Sequence, residues 1–195
     1  ELGLYKATRY SKPLVALNLK GDDCVVDVHL TDGTYTVFLA TSHGYGLMFK
    51  EEEVPVISAR AAGVKGINLK DDDHVVSGKV FADDSSSMIA LVTHRGAVKK
   101  MKRSEFEVGS RAKRGVVMLR ELKKNPHRVV GIEMLDDLDQ LYIESEKGKV
   151  EEIGSFQLRP SDRYSNGSFF MDEAENGPII DNWIVKAETT DETPN

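Results

Sequence analysis

Short runs of β-branched and aromatic residues recur at a fixed interval along the chain, and each run leads into a glycine. The segments Val37–Gly44, Ile89–Gly96 and Leu141–Gly148 align without gaps, since their glycines are 52 residues apart. Runs of this composition, bounded by polar turn residues, predict β-strands. The glycines are then expected at hairpin turns, where the backbone needs a positive φ angle.

Two further features repeat with nearly the same period. A polar segment that ends in two valines occurs three times, at Asp22–Val26, Asp72–Val76 and Pro126–Val130. A linker that begins with arginine occurs four times, at Arg9, Arg60, Arg111 and Arg163. We expect the valine pairs to lie in strands and the Asp-rich segments 71–73 and 83–87 to be loops. Units of about fifty residues that each hold several short strands are typical of propeller blades.

The chain is therefore predicted to be all-β, with about three full four-stranded blades and partial ones. Closed propellers need about four to eight blades, so the array is expected to be open or to be cut from a longer one. The predicted divisions are 1–15 (end of a preceding blade), 16–66, 67–115 and 116–168 (blades), 169–187 (a terminal strand region) and 188–195 (a disordered acidic tail). A short helical turn is expected at 104–107, and Trp183 is expected to pack in the terminal strand.

The distribution of charge changes the picture that the net charge gives. The formal net charge is −6, which argues against a polyanionic partner. Residues 172–195 contribute seven acids and one base, and the rest of the chain is neutral. Between Arg95 and Lys124 there are eleven bases and three acids. Because binding to a polyanion depends on the local potential, this segment indicates a nucleic-acid partner.

The repeat allows equivalent positions to be compared. The two residues that lie three and four positions after the hairpin glycine are Leu47–Met48, Lys99–Lys100 and Glu151–Glu152. Only the second unit offers a cationic surface there, so we predict that it binds phosphate groups. A lysine-rich strand face that is merely solvated is the competing interpretation. The predicted DNA-binding residues are Arg95, Lys99, Lys100, Lys102, Arg103, Arg111, Lys113, Arg114, Arg60 and Lys65.

Other kinds of site have little support in the sequence. Asp71–Asp73 with His74 could form a metal site, but the equivalent positions of the other units do not keep the ligands, so a turn is favoured. Motifs for nucleophilic catalysis, phosphate-binding loops and dinucleotide binding do not occur, and we expect no catalytic residue, cofactor or metal in this chain. The single Cys24 fits a reducing cytoplasm, and no apolar run approaches the roughly 18 residues of a membrane span.

Through this repeated pattern, nearly the whole chain resembles a known family, the C-terminal domain of the A subunit of bacterial type IIA topoisomerases. Residues Ser58–Leu69 look like the linker-to-strand junction of that family, and Arg163–Ser168 look like its last blade. The resemblance implies a β-pinwheel whose outer rim bends double-stranded DNA without sequence preference and presents it for strand passage. It also implies two partners, the ATPase B subunit together with the remainder of the A subunit, and it places the catalytic tyrosine outside this chain.

Within that family the sequence favours topoisomerase IV over gyrase. The A subunits of gyrase carry a box rich in glutamine, arginine and glycine, and the nearest match here, Gly109–Gly115, has the bases but lacks the glutamine. A gyrase-type wrapping domain and a protein-interaction propeller remain the alternatives.

Overall fold

A computed structural model of the protein describes residues 13–70 and 72–187, and these form twelve strands and one short helix. The strands are β1 (Thr36–Thr41), β2 (Tyr45–Lys50), β3 (Val75–Phe81), β4 (Met88–Thr93), β5 (Ala97–Met101), β6 (Val108–Gly109), β7 (Val116–Val117), β8 (Val129–Leu135), β9 (Gln140–Ser145), β10 (Val150–Gly154), β11 (Ser168–Phe169) and β12 (Ile179–Val185). The helix α1 spans Glu173–Asn176. Three 3₁₀ turns follow the hairpins with the 52-residue period, at Glu51–Glu53, Arg103–Glu105 and Ser155–Gln157.

Three antiparallel hairpins, β1–β2, β4–β5 and β9–β10, form the centres of three sheets. Their turns contain Gly44, Gly96 and Gly148 with φ angles of 84°, 83° and 78°, which confirms the predicted hairpin glycines. On one side each hairpin pairs with a strand from further along the chain: β3, β8 and β12, respectively. On the other side β2 pairs with β6 and β7, and β5 pairs with β11. The predicted all-β array with three repeated units is confirmed, and its sheets have five, four and three strands rather than four each.

The sheets do not follow the sequence divisions 16–66, 67–115 and 116–168. The first sheet takes its hairpin from the first division, β3 from the second, and β6 and β7 from the second and third. This exchange arises because both edges of the first two hairpins pair with strands that come later in the chain, and the third hairpin pairs on one edge with β12. Each division is therefore a sequence unit rather than one sheet, and neighbouring sheets are held together by main-chain hydrogen bonds.

The core lies between consecutive sheets. One cluster joins side chains of the first and second sheets, including Phe38, Ile89 and Ile132. A second cluster joins the second and third sheets, including Val92 and Leu141. Strand β4 is covered on both faces, which explains why the segment Met88–Val92 is apolar without alternation.

The valine pairs have different outcomes in the three units. Val75 and Val129 begin strands β3 and β8, as predicted. Val25 and Val26 lie in extended chain without strand pairing and are 52% and 46% exposed, so the strand predicted there is wrong. The reason is that β3 and β8 pair with the hairpin of the preceding unit, and within the described residues no hairpin precedes Val25.

The remaining local predictions lie close to the structure. The helical turn begins at Arg103, one residue earlier than predicted, and residues 83–87 are a loop. Trp183 lies in β12, where its ring stacks on Tyr142 with centroids 5.5 Å apart and an interplanar angle of 4°. The Arg9 linker and the acidic tail 188–195 lie outside the described residues.

Candidate nucleic-acid interface

Two central members of the predicted site are interior residues. Lys99 and Lys100 are only 3% and 5% exposed, so the prediction that they form a phosphate-binding surface is wrong. The ammonium group of Lys100 donates hydrogen bonds to the carbonyl oxygen (2.9 Å) and the hydroxyl (3.1 Å) of Ser155. Leu47 and Met48, which correspond to Lys99 and Lys100 in the first hairpin, are also buried. Strand β5 has cover on both faces, which a comparison of sequence positions does not reveal.

Lys99 is held by main-chain carbonyl groups. Its Nζ donates to the carbonyl oxygens of Met118 (2.5 Å), Arg163 (2.8 Å) and Ser165 (2.8 Å). These acceptors satisfy the buried ammonium group, which would otherwise be costly to remove from water. Burial lowers the pKa of Lys99 to about 8. Lys99 therefore joins two segments of the chain and is not free to bind a phosphate group.

Two predicted arginines tie a linker to the first sheet. Arg111 donates from Nε to the carbonyl oxygen of Glu53 (3.0 Å) and from Nη1 to that of Lys65. The guanidinium carbon of Arg114 lies 4.1 Å from the centroid of the Tyr45 ring. Both side chains are half-buried, and their contacts connect the linker to strand β2, to the turn that follows β2 and to the preceding linker.

The guanidinium groups of Arg95 and Arg103 also contact other residues of the chain. The Nη1 of Arg95 donates to the carbonyl oxygen of Asn125 (2.9 Å), and its Nε lies 3.4 Å from a carboxylate oxygen of Glu173. Arg103 lies 4.9 Å from the centroid of the Phe81 ring. The charge of Arg95 is thus already balanced by an acid, which weakens its attraction for a polyanion.

Four predicted residues, Arg60, Lys65, Lys102 and Lys113, are exposed. The equivalence drawn between Arg60 and Arg111 is shifted by one residue. Arg60 and Ala112 share a positive φ angle, 68° and 64°, and are 52 residues apart. In the first two of these linkers the backbone conformation repeats after 52 residues, whereas the arginines are 51 residues apart.

A cluster of bases outside the predicted set lies on the connection from β7 to β8, which we call the middle loop (residues 120–128). Its basic residues are Arg120, Lys123, Lys124 and Arg128, and its only acid is Glu121. The first three of these bases are exposed, and Arg128 is half-buried with its Nη1 3.3 Å from Glu121. The sequence contained a signal for this loop, because a connection that carries charged residues without apolar alternation is expected at the surface.

Main-chain hydrogen bonds place the middle loop next to two hairpin turns. Met118 donates its N–H to the carbonyl oxygen of Gly44 (2.7 Å), and His94 donates to the carbonyl oxygen of Arg128 (2.9 Å). Asn166 makes two hydrogen bonds with the backbone of Arg120, at 2.8 and 3.1 Å. These contacts hold both ends of the loop, so the backbone that carries its basic side chains has a fixed position.

Two other loops occupy equivalent places. The first loop (68–70 and 72–74) ends where Ser42 donates to the carbonyl oxygen of His74 (2.9 Å), and the last loop (172–178) ends where Glu146 donates to that of Pro178 (2.9 Å). By sequence, residues 68–74 have a net charge of −2, the middle loop +3 and the last loop −3. One basic loop therefore lies between two acidic ones in the same structural setting.

The acidic first loop has the contacts of a turn. Asp73 accepts hydrogen bonds from the N–H groups of His43 and His74, both at 2.9 Å, and Asp72 lies 3.6 Å from the ring of His43. Across residues 13–70 and 72–187 there is no group of three or more acidic, His or Cys side chains that could hold a metal ion. In the same part of the chain no helix is long and apolar enough to cross a membrane.

The repeated hairpins coincide with a known family. Residues 35–82 and 87–136 match the DNA gyrase C-terminal domain, beta-propeller. The first match contains β1 to β3, and the second contains the hairpin β4–β5 together with β8. The chain belongs to this family.

Individual relatives point to topoisomerase IV within that family. The chain is 59% identical over 188 residues to the A subunit of DNA topoisomerase 4 from Bacillus subtilis (strain 168), which covers 96% of this chain and 23% of the relative. It is 34% identical over 181 residues to the same subunit of Staphylococcus aureus (strain MRSA252), covering 93% and 22%. The chain thus spans about a quarter of the length of these curated relatives.

Solved structures agree with the sequence relatives. The C-terminal domain of DNA topoisomerase IV superposes with a TM-score of 0.92 at 56% identity, covering 95% of this chain and 57% of that chain. The DNA gyrase A C-terminal domain superposes with a TM-score of 0.76 at 18% identity, over 89% and 58%, which shows the shared fold alone. The predicted resemblance to the topoisomerase IV A subunit, in preference to that of gyrase, is confirmed.

Proposed function

We propose that this chain is a non-catalytic DNA-binding module from the A subunit of a topoisomerase IV, and that it contacts DNA mainly through the middle loop. The observation that carries the proposal is the charge of the three equivalent loops, −2, +3 and −3. A polyanion that passes the three loops meets a favourable potential only at the middle one. The high identity to the A subunit of a DNA topoisomerase 4 supports DNA as the polyanion.

The arrangement favours contact with the DNA backbone over reading of bases. The helix in the described residues has four residues, too few to act as a recognition helix in a major groove. Lysine and arginine side chains on a loop suit phosphate groups, which carry no sequence information. We therefore expect binding that depends on salt and on DNA shape rather than on sequence.

In the parent enzyme, the module is proposed to bend DNA and present a segment for strand passage, and to tune the choice of substrate in decatenation and relaxation. The remainder of the A subunit, with the catalytic tyrosine, and the ATPase B subunit would be its partners in the cytoplasm. No cofactor is needed for this role, because backbone binding depends only on the protein's own charges. The exposed Arg60, Lys65, Lys102 and Lys113 are proposed as secondary contacts.

The test is a pair of double variants in gel-shift titrations on a duplex of about 40 base pairs. Lys123→Gln with Lys124→Gln removes two bases of the middle loop. The control, Lys147→Gln with Lys149→Gln, removes two exposed lysines at the turn of the third hairpin. Each lost phosphate contact reduces the steepness of the plot of log affinity against log salt by about 0.9. The slope of the first variant should therefore be shallower by about 1.8, and that of the control should hardly change.

Equal losses in both variants would show that contact is spread over the array and that the loop comparison has no predictive value. If the unmodified chain, tested within the full A subunit, contributes no DNA affinity at low salt, the proposal fails. In that case the protein-interaction propeller becomes the better interpretation.

A further inference from the structure

The linkers join the following segments at two equivalent junctions, and the two junctions differ in their hydrogen bonds. At the first junction, segments 66–68 and 111–113 bind each other directly. Ala112 donates its N–H to the carbonyl oxygen of Gly66, and Asn68 donates to that of Lys113, both at 2.7 Å. The second junction consists of segments 118–120 and 163–165, which lie 52 residues further along the chain.

At the second junction the ammonium group of Lys99 replaces both of those donors. The carbonyl groups equivalent to those of Gly66 and Lys113 belong to Met118 and Ser165, and both accept from Lys99 Nζ, at 2.5 and 2.8 Å. The carbonyl oxygen of Arg163 accepts from the same group at 2.8 Å. The two segments are therefore connected through one side chain rather than through their own backbones.

The main-chain N–H groups released by this exchange bind side chains instead. Arg120, equivalent to Asn68, donates to Oδ1 of Asn166 (2.8 Å). Tyr164, equivalent to Ala112, donates to Oδ1 of Asp162 (2.7 Å). The two carbonyl groups and the two N–H groups that pair at the first junction therefore all have other partners at the second. The second junction is thus built in a different way.

The stem of Lys99 occupies the place of an apolar side chain. Its counterpart in the first hairpin is Leu47, which is buried and lies close to Gly115, while Lys99 lies close to the equivalent Gly167. An aliphatic side chain is therefore compatible with this position of the fold. The ammonium group is the added feature, and it reaches the segments that lead to Arg120 and contain Arg163.

We propose that Lys99 is a positioning residue that sets the spacing of two basic segments for contact with DNA, without contacting DNA itself. The inference rests on the proposed function. Arg163 strengthens the link, because its Nη1 donates to the carbonyl oxygen of Val117 (3.2 Å) at the start of the same segment. Arg120 then stands at the beginning of the middle loop, at a distance from Arg163 that depends on the shared ammonium group.

A pH dependence follows from this geometry. Burial lowers the pKa of Lys99 to about 8, an effect opposed by Asp162 and Glu105 and reinforced by Arg163. Above that pH the neutral amine has two donors for four carbonyl groups, those of Met118, Asp162, Arg163 and Ser165. We expect DNA affinity to fall as the pH rises from about 7 to about 9, with its midpoint near the pKa of Lys99.

The experiment compares Lys99→Met with Lys149→Met, which removes an exposed lysine at the turn of the third hairpin, in the full A subunit. The Lys99 variant should bind a duplex about five- to tenfold more weakly at neutral pH, and its affinity should lack the change near pH 8. The Lys149 variant should keep both the affinity and that change. Acetylation with acetic anhydride should leave Lys99 unmodified with and without DNA, since it is 3% exposed.

Two results would overturn the proposal. One is a Lys99→Met variant with unchanged affinity and pH profile, and the other is a Lys99 that is acetylated in the free protein and protected by DNA. Should the variant unfold, the acetylation pattern of Lys99 in the unmodified protein still decides whether Lys99 contacts DNA. If the unmodified protein shows no DNA affinity from this module, the proposed function fails. Faster amide hydrogen exchange at Arg120 in the Lys99 variant would then still show that Lys99 stabilises the second junction.

Discussion

Replacement of Gly115 by alanine tests how closely the linker approaches the first sheet. Gly115 has a φ angle of 85°, and a Cβ atom there would lie 2.4 Å from the carbonyl oxygen of Gly46. The positive φ costs about 1–2 kcal/mol for an L-residue. Relief of the contact requires a backbone shift of the kind that costs about 1–3 kcal/mol in overpacked sites. We expect a total loss of roughly 2–5 kcal/mol in the free energy of unfolding.

Gly63 provides the matched control for this substitution. It is the equivalent residue 52 positions earlier, it has the same φ angle of 85°, and a Cβ atom there would meet nothing within 4 Å. Gly63→Ala should therefore lose only the backbone contribution of about 1–2 kcal/mol. The effect of alanine on the unfolded chain is the same in both variants and cancels in their difference.

The assay is urea unfolding followed by circular dichroism and by the fluorescence of Trp183. The difference between the two variants should be about 1–3 kcal/mol. Equal stabilities would refute the close approach of Gly115 to Gly46 and the pairing of β7 with β2 that depends on it. The same Gly115 variant should also weaken DNA binding, because the middle loop begins three residues after β7.

Two further predictions concern stability. Burial raises the pKa of Glu133, whose carboxylate lies 3.2 Å from Lys79. The folded state therefore keeps this proton to higher pH than the unfolded state, and the resulting stabilisation is complete below about pH 4.5 and is lost as the pH rises through the folded pKa. In urea titrations at several pH values, the stability of the unmodified chain relative to Glu133→Gln should fall over that range, and a constant difference would contradict the assignment. Trp183→Ala should cost about 1–2 kcal/mol through loss of the stacked pair with Tyr142, whereas Ile180→Ala on the same strand, 56% exposed, should cost under about 0.5 kcal/mol.

Local features of this fold are predictable from the sequence because they depend on neighbouring residues. The turn at Gly44 follows from an apolar run that ends in glycine, and the same combination recurs at Gly96 and Gly148. The strand Ile89–Val92 is predictable from its composition. These features need no knowledge of what the strands contact.

The burial of Lys99 depends on residues far away in the chain. Its carbonyl acceptors belong to Met118, 19 positions later, and to Ser165, 66 positions later. A lysine on a strand is usually solvated, and nothing in the residues next to Lys99 indicates that a linker covers it. The same is true of the exposed Val25, whose pairing depends on a hairpin in another unit. The predicted site therefore failed at positions where contacts with distant segments decide exposure.

The exchange of strands also determines which charges act together. By sequence unit, residues 67–115 carry a net charge of +3 and residues 116–168 carry −2, which places the cationic surface in the former. Lys99 and Lys100 account for much of that excess, and both are internal. The middle loop belongs to the unit with the negative total, but main-chain hydrogen bonds place it next to the turns of the first two hairpins. For a fold in which sheets share strands, the charge that a polyanion meets has to be summed over loops that share one position in space, and the total for a sequence unit gives the wrong location.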